Sequence, residues 1–160
     1  MTLALGIDPG TATTGYGLVR LMPDGGLVAV DFGVILTPKE ATASARLVML
    51  FDDLNKLLKK HKPDTSAVEK LFFSKNVTTG IAVGQARGVI LLALEKAGVS
   101  TYEYTPNEVK QAVAGYGSAE KRQVQEMVRA LLQLEKIPKP DDAADALAIA
   151  ITHLNTARYD

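Results

Sequence analysis

Apolar residues fall into ten segments along the chain, and the first three have the spacing of strands. They cover residues 3–8 (LALGID), 14–22 (TGYGLVRLM) and 27–36 (LVAVDFGVIL). Pro9-Gly10 breaks the chain after the first, and the sequence PDGG at 23–26 separates the second from the third. Three successive strands without helical spacing predict an antiparallel meander.

Helical spacing begins near Ser44, where Leu47, Leu50 and Leu54 recur on one face, and Pro63 ends that helix. A fourth strand follows at residues 66–73, a long helix at 77–96 and a fifth strand at 100–105. Three more helical patterns cover residues 107–114, 119–134 and 142–154. The order βββαβαβααα predicts an α/β fold in which helices flank a mixed five-stranded sheet.

Composition narrows the class of protein. The 160 residues are 47% hydrophobic and include no Cys and no Trp, which predicts one domain over residues 1–156 and a short frayed tail at 157–160. The lack of Cys excludes disulfides, Cys-ligated zinc and thiol catalysis. The first residues, MTLALGIDPG, have no basic segment, and no stretch reaches the roughly 18 apolar residues of a membrane span. We therefore expect a cytoplasmic protein with no membrane partner.

Charge gives a mixed indication about nucleic acid. Basic and acidic residues balance at 18 each, whereas phosphate backbones are bound chiefly by Lys and Arg. Residues 56–122 nevertheless hold eleven basic and six acidic side chains, a net charge of +5. Solvated helix faces would produce the same count, so the position of these side chains in the fold must decide.

Two carboxylates lie at the ends of apolar strands. Asp8 ends the first strand, where open sheets carry ligand-binding residues, but Asp-Pro-Gly is also an ordinary turn sequence. Glu69 lies inside the apolar sequence AVEKLFF, where an unpaired carboxylate is costly. A buried ion pair and a functional role remain equal alternatives for Glu69.

The last helix carries further acids on an apolar surface. In DDAADALAIAI, Asp142 and Asp145 are three residues apart and share a face. Asp141 could be an N-cap and Asp142 a first-turn acid, but neither role explains Asp145, one turn inside the helix. Spacing alone leaves open whether Asp141 or Asp142 pairs with Asp145.

If Asp8, Glu69, Asp142 and Asp145 meet at one sheet edge, they need cations. Two carboxylates about 4 Å apart repel by roughly 4 kcal/mol at an effective dielectric constant near 20. Oxygen ligands suit Mg²⁺ or Mn²⁺, and two such ions about 4 Å apart can hydrolyse a phosphodiester. Without these four acids, 18 basic residues face 14 acidic ones, so the charge balance no longer opposes DNA binding.

Several segments together resemble the RuvC family of Holliday-junction resolvases. They are GIDPGTATTGYGLV, AVEKLFFSKN, GQARGVILLA, EVKQAVAGYGSAEKRQVQ and DDAADALAIAITH, in that order over almost the whole chain. The resemblance implies a ribonuclease H-like fold and a homodimer that makes symmetric, metal-dependent cuts in two strands of a four-way DNA junction, leaving ligatable nicks. It implies two ions per active site and a branch-migration motor as a partner. The catalytic and metal-binding acids of the family fall on Asp8, Glu69, Asp142 and Asp145.

Other positions are candidate DNA contacts. The resemblance implies Phe72, although Phe73 alternates with it along the strand, and it implies Lys110 and Lys121. Lys121 and Arg122 fall in the first turn of a helix that Ser118 is predicted to cap. The helix dipole disfavours cations there, and a bound anion would offset that cost. The full set of predicted contacts is Phe72, Lys75, Arg87, Lys110, Lys121 and Arg122.

Gly80, Gly84 and Gly88 recur at four-residue spacing in the long helix, where each costs about 1 kcal/mol relative to Ala. They could pack tightly on the protein's own sheet, but the resemblance implies a dimer interface. His153 is predicted to be structural.

Two other classes of protein remain open. GIDPGTATTG is similar to the phosphate-binding hairpin of actin-like ATPases and sugar kinases. Those enzymes need two such domains, and the chain has room for one. A junction-binding module without catalysis is the third class.

Overall fold

The computed structural model describes residues 1–10, 12–70 and 77–157. Ten elements follow the predicted order. The strands are β1 (Thr2–Asp8), β2 (Thr13–Leu21), β3 (Leu27–Leu36), β4 (Thr65–Glu69) and β5 (Thr101–Tyr104). The helices are α1 (Ala43–His61), α2 (Val77–Lys96), α3 (Pro106–Ala114), α4 (Lys121–Leu131) and α5 (Asp141–Ala157).

The strands form one mixed sheet in the order β3-β2-β1-β4-β5. β1, β2 and β3 pair antiparallel, as the meander prediction required. β4 and β5 join parallel on the other side of β1. The carboxyl ends of β1, β4 and β5 therefore lie at the same edge of the sheet, which confirms the predicted fold class.

Each face of the sheet buries its own apolar layer. On one face, Leu5 and Leu18 pack with Leu54 of α1 and Ile90 of α2. On the other face, Val19 packs with residues of α3, α4 and α5. The period-2 alternation of the strands divides their side chains between these layers.

α5 lies directly on β1 and β2 because these strands carry glycine where it crosses. A Cβ on Gly6 would lie 2.1 Å from the carbonyl oxygen of Ala146, and one on Gly15 would lie 2.0 Å from that of Asp142. Any larger residue would push the helix away. These two glycines fix the distance between the start of α5 and the end of β1.

Local sequence explains several helix ends. The Thr42 hydroxyl accepts a hydrogen bond from the Ala45 amide (3.2 Å) at the start of α1. Thr105 and Glu108 form a reciprocal capping box at the start of α3, with Pro106 as its first residue. Lys62 takes a left-handed conformation (φ 48°) after α1, and Pro63 follows.

Two helix starts differ from what the sequence suggested. α4 begins at Lys121, capped by Glu120 and its exchange of hydrogen bonds with Gln123, so Ser118 is not the cap. Asp141 is the first residue of α5 and not its cap, because the Pro140 carbonyl accepts hydrogen bonds from the amides of Ala143 and Ala144. Within the described residues, no helix combines the length and the apolar character that crossing a bilayer requires.

Candidate active site

Three elements bring the four predicted acids together. Asp8 is the last residue of β1 and Glu69 the last of β4. These strands are parallel neighbours, with Ile7 opposite Val68, so the two carboxylates leave the sheet side by side. Asp142 and Asp145 lie in the first turns of α5. This end of the helix can approach the end of β1 because Gly15 has no side chain. We call Asp8, Glu69, Asp142 and Asp145 the acidic cluster.

Asp8 is the common member of the acidic cluster. Carboxylate oxygens of Asp8, Asp142 and Asp145 all lie within 4.8 Å of one another. Asp8 also shares a hydrogen bond with Glu69. It therefore belongs both to the group on α5 and to the pair on the sheet.

Burial and mutual repulsion disfavour the charged forms of these acids. Burial raises the pKa of Asp8 to about 8, with smaller contributions from the charges of Glu69, Asp145 and Asp142. Burial also raises the pKa of Glu69 and of Asp145. Nearby lysines oppose these shifts, Lys110 at Glu69 and Lys121 at Asp145. Without a cation, the acidic cluster holds protons that free carboxylic acids release.

This donor set fits hard divalent cations. All four side chains offer carboxylate oxygens, the ligands that Mg²⁺ and Mn²⁺ prefer. A carboxyl group whose pKa burial and neighbouring acids raise to about 8 is mostly protonated at neutral pH, and a bound cation would favour its ionised form. The geometry and the electrostatics therefore both favour metal binding.

Two lysines lie beside the acidic cluster. The Lys121 ammonium is 3.3 Å from the Asp141 carboxylate and 3.9 Å from that of Asp145. A groove of about 300 Å³ runs along this side of the molecule. Its lining residues are Glu69, Pro106, Val109, Lys110, Lys121, Val124, Asp145, Ala148 and Ile149. Acids and basic residues thus share one groove.

The other predicted contacts lie elsewhere or outside the described residues. Arg87 of α2 forms an ion pair with Glu103 of β5. Arg122 is exposed and lies 3.6 Å from Glu126 on its own helix. Phe72, Phe73 and Lys75 fall outside the described residues, so their predicted roles stay predictions.

The three glycines of α2 occupy different environments. Gly80 is buried, Gly84 is partly buried and Gly88 is exposed. No atom lies within 4 Å of the place where a Cβ on Gly88 would be. Of the three, Gly88 alone lies on an open face of the described structure.

His153 is buried, as its structural interpretation requires. Its Nε2 lies 2.8 Å from the Thr65 hydroxyl, and its Nδ1 lies 2.7 Å from the Tyr104 hydroxyl. Burial lowers the pKa of His153, so the neutral ring is favoured. These contacts attach α5 to the start of β4 and to the end of β5.

Two features of the site were not predicted. Asp141 is a partner of Lys121 and accepts a hydrogen bond from the side-chain amide of Gln125, whereas the sequence suggested a cap or a partner of Asp145. The close approach at Gly15 was also missed. Glycines at alternate positions 15 and 17 of one strand were the available signal, since glycine in a strand often marks close backbone approach.

Comparison with known proteins gives consistent matches over nearly the whole chain. The family described as Crossover junction endodeoxyribonuclease RuvC matches residues 4–153. A relative of that name from Chloroflexus aggregans is 59% identical over 155 residues, covering 96% of this chain and 93% of the relative. One from Heliobacterium modesticaldum is 57% identical over 147 residues, covering 92% of this chain and 90% of the relative.

Solved structures agree with these matches. The structure of T. thermophilus RuvC in complex with Holliday junction substrate superposes with a TM-score of 0.94 at 37% identity, covering 99% of this chain and 96% of that one. The yeast mitochondrial Holliday junction resolvase Ydc2 shares the fold, with a TM-score of 0.69 at 17% identity, covering 93% of this chain and 77% of that one.

Proposed function

Because the chain belongs to the RuvC family of crossover junction endodeoxyribonucleases, we propose that its acidic cluster hydrolyses phosphodiester bonds at the crossover of a four-way DNA junction. Two observations support this assignment. Carboxylate oxygens of Asp8, Asp142 and Asp145 lie within 4.8 Å of one another, and Glu69 shares a hydrogen bond with Asp8. The junction would be resolved by paired nicks, one in each of two strands, during recombination and repair.

The four acids would hold two divalent cations, Mg²⁺ or Mn²⁺. Asp8 would hold metal together with acids of both the sheet and α5, because it lies close to both groups. Bound cations lower the pKa of a coordinated water and stabilise negative charge on the leaving oxygen. The protein's own contribution is to hold the carboxylates close together before metal arrives.

The lysines of the groove would hold the DNA backbone. Lys110 and Lys121 line the same groove as Glu69 and Asp145. A phosphate bound there would lie against the ammonium groups of Lys110 and Lys121, and these positive charges compensate the negative potential of the acids. Lys121 is also the first residue of α4, where backbone amides attract anions. Lys110 and Lys121 therefore position the scissile strand.

Symmetric nicks require two active sites, and one face of α2 supports a homodimer. Ile81, Gln85, Gly88 and Leu92 are exposed at spacings of four, three and four residues, which places them along one side of the helix. Ile81 and Leu92 are each 53% exposed. An exposed apolar stripe with an open glycine allows a second helix to pack closely. We place the dimer interface along this stripe.

The dimer has a simple test at Gly88. A side chain can leave the backbone at Gly88 toward open space, because the residue is exposed and no atom lies within 4 Å of an added Cβ. Gly88→Arg should shift the protein from dimer to monomer in sedimentation equilibrium. Gly117→Arg, at another open glycine, is the control. A dimer of equal strength in both variants would contradict this interface.

The nuclease assignment is tested by incubating the protein with a synthetic four-way junction and Mg²⁺ or Mn²⁺, and mapping nicks on all four strands. Two nicks related by twofold symmetry are expected, and ligase should seal them. Glu69→Gln should abolish the nicks and retain junction binding. A Glu69→Gln protein that cleaves normally would refute the catalytic role of the cluster.

The two alternative classes are less well supported. A non-catalytic junction-binding module would have no use for four clustered acids that cost stability. A relative of actin-like ATPases would use the loop after Asp8 for nucleotide phosphate, but Asp8 lies among carboxylates that repel phosphate unless metal is bound. A branch-migration motor remains the expected partner that supplies junctions.

A further inference from the structure

An open groove lies between the edge strand β3 and α1, away from the acidic cluster. It encloses about 270 Å³ and is lined by Tyr16, Val34, Ile35, Leu36, Asp53, Lys56, Leu57 and Lys60. We call it the β3 groove. Val34 pairs with Gly15, which pairs with Asp8, so the groove lies two strands or about 10 Å from β1. It opens toward the α1 face of the sheet, whereas the acidic cluster lies on the α5 face.

The strand beside the groove has an unprotected edge. Within the described parts of the chain, β3 pairs only with β2, so its outer backbone groups have no strand partner. Natural edge strands are usually blunted by Lys, Pro or a bulge. The one irregularity of β3 lies between Ala29 and Asp31, and the following sequence FGVIL has no charged residue and no Pro. The opposite edge strand, β5, has only four residues.

The groove combines an apolar floor with a basic rim. Ile35 and Leu57 are the apolar residues at the floor of the groove. Val34 and Leu36 alternate with Ile35 along the strand and point to the opposite, α5 face of the sheet, where Leu36 is 65% exposed. Lys56 and Lys60 lie one helical turn apart on the face of α1 toward the groove. Lys56 is 81% exposed and lies 3.8 Å from Asp53, and the ion pairs among described residues do not include Lys60. The helix dipole explains cations at the end of α1, but not an apolar groove and an open strand beside them.

We propose that the β3 groove binds an extended acidic segment of another protein as an added strand. The segment would pair with the outer edge of residues 32–36, and its alternate side chains would face opposite sides of the sheet. Apolar side chains would lie against Val34 and Leu36 on the α5 face, and carboxylates would point toward Lys56 and Lys60 on the α1 face. This is the geometry of β-strand addition, in which backbone hydrogen bonds give affinity and side chains give selectivity. It does not depend on the chemistry of the acidic cluster, which lies two strands away at the end of β1.

Charge disfavours the competing occupants. A second copy of this groove would bring two lysines and one acid, Asp53, so it offers Lys56 and Lys60 fewer opposite charges than an acidic segment does. Duplex DNA would pair with the lysines but would leave the strand edge and the exposed Leu36 without partners. An acidic segment with alternate apolar residues would pair with the lysines, Leu36 and the backbone edge together.

A short synthetic peptide tests the proposal with the full-length protein. The probe is a fluorescent peptide that alternates Val with Glu over about eight residues, enough to cover residues 32–36. Binding is followed by fluorescence anisotropy, and backbone amide exchange locates the bound peptide. We expect protection of amides in β3 and no loss of junction cleavage.

Matched variants separate this site from general attraction. Lys56→Glu with Lys60→Glu should weaken peptide binding about tenfold, since two attractions become repulsions. Lys59→Glu with Lys62→Glu makes the same change of charge at exposed positions outside the groove lining and should have little effect. Leu36→Glu should also weaken binding. Equal losses in the two lysine pairs would overturn the proposal in favour of general electrostatics.

Backbone pairing has its own test. Peptides carrying N-methyl groups on odd or on even residues block opposite edges of the added strand. One series should lose binding and the other keep it. Equal binding of both would refute strand addition. Complete displacement of the peptide by a linear DNA duplex, without β3 protection, would assign the lysines to DNA instead.

Discussion

Replacing Asp8 with Asn separates the energetic cost of the acidic cluster from its function. Burial and the neighbouring acids raise the pKa of Asp8 from 3.8 to about 8 in the folded protein. The folded state therefore binds this proton more tightly than the unfolded chain does. The contribution of protonated Asp8 to the free energy of unfolding is fully present below about pH 4 and is lost as the pH rises toward about 8. Glu69 and Asp145 act in the same direction, because their pKa values are also raised.

The size of the effect follows from the width of that pH window. One such group costs about 1.4 kcal/mol of unfolding free energy per pH unit, or about 4 kcal/mol between pH 4 and pH 7. We halve this to about 2 kcal/mol because one side of the cluster is open to solvent, which screens its charges. Asn does not ionise, so the variant does not lose this free energy of unfolding as the pH rises. In metal-free buffer at neutral pH, Asp8→Asn should therefore melt about 4 to 8 °C higher than the natural protein.

Thermal unfolding followed by circular dichroism, in EDTA and over a series of pH values, measures this difference. The two melting temperatures should agree near pH 4 and diverge as the pH rises. Asp52→Asn, at an exposed position of α1, is the control and should follow the natural protein. Asp8→Asn should at the same time lose junction cleavage and keep junction binding. Parallel pH curves for Asp8→Asn and the natural protein would refute the electrostatic reasoning.

Three other predictions concern the groove, the backbone contact and the metal. Lys110→Ala and Lys121→Ala should each weaken junction binding and lower its salt dependence by about one phosphate contact, and an unchanged slope would remove that lysine from the DNA surface. Gly15→Ala should destabilise the fold and abolish cleavage, since its Cβ would lie 2.0 Å from the Asp142 carbonyl, whereas Gly117→Ala meets open space and should do neither. Mg²⁺ or Mn²⁺ should raise the melting temperature of the natural protein more than that of Asp8→Asn, and equal shifts would count against metal binding at Asp8.

The sequence by itself predicted the element order and the identity of the acids. The periods of 2 and 3.6 residues are local properties, so the order βββαβαβααα could be read without the fold. Asp8, Glu69 and Asp145 could be recognised because each interrupts an apolar pattern whose burial makes a charge costly. The choice of Asp142 over Asp141 came from the family resemblance and not from spacing. The cap predicted at Ser118 was wrong, and Asp141, one possible cap, is the first residue of its helix. In both segments several neighbouring residues could cap equally well.

Only the tertiary structure decided which distant side chains meet. Strand pairing placed β1 beside β4, and the missing side chain of Gly15 let α5 bring Asp142 to Asp8. Packing of α4 on α5 selected Lys121, among many basic residues, as the partner of Asp145, and left Arg122 facing Glu126. The strand order also left the outer edge of β3 open beside Lys60. These outcomes depend on contacts between residues far apart in the chain, and a local pattern carries no information about which surfaces the fold brings together.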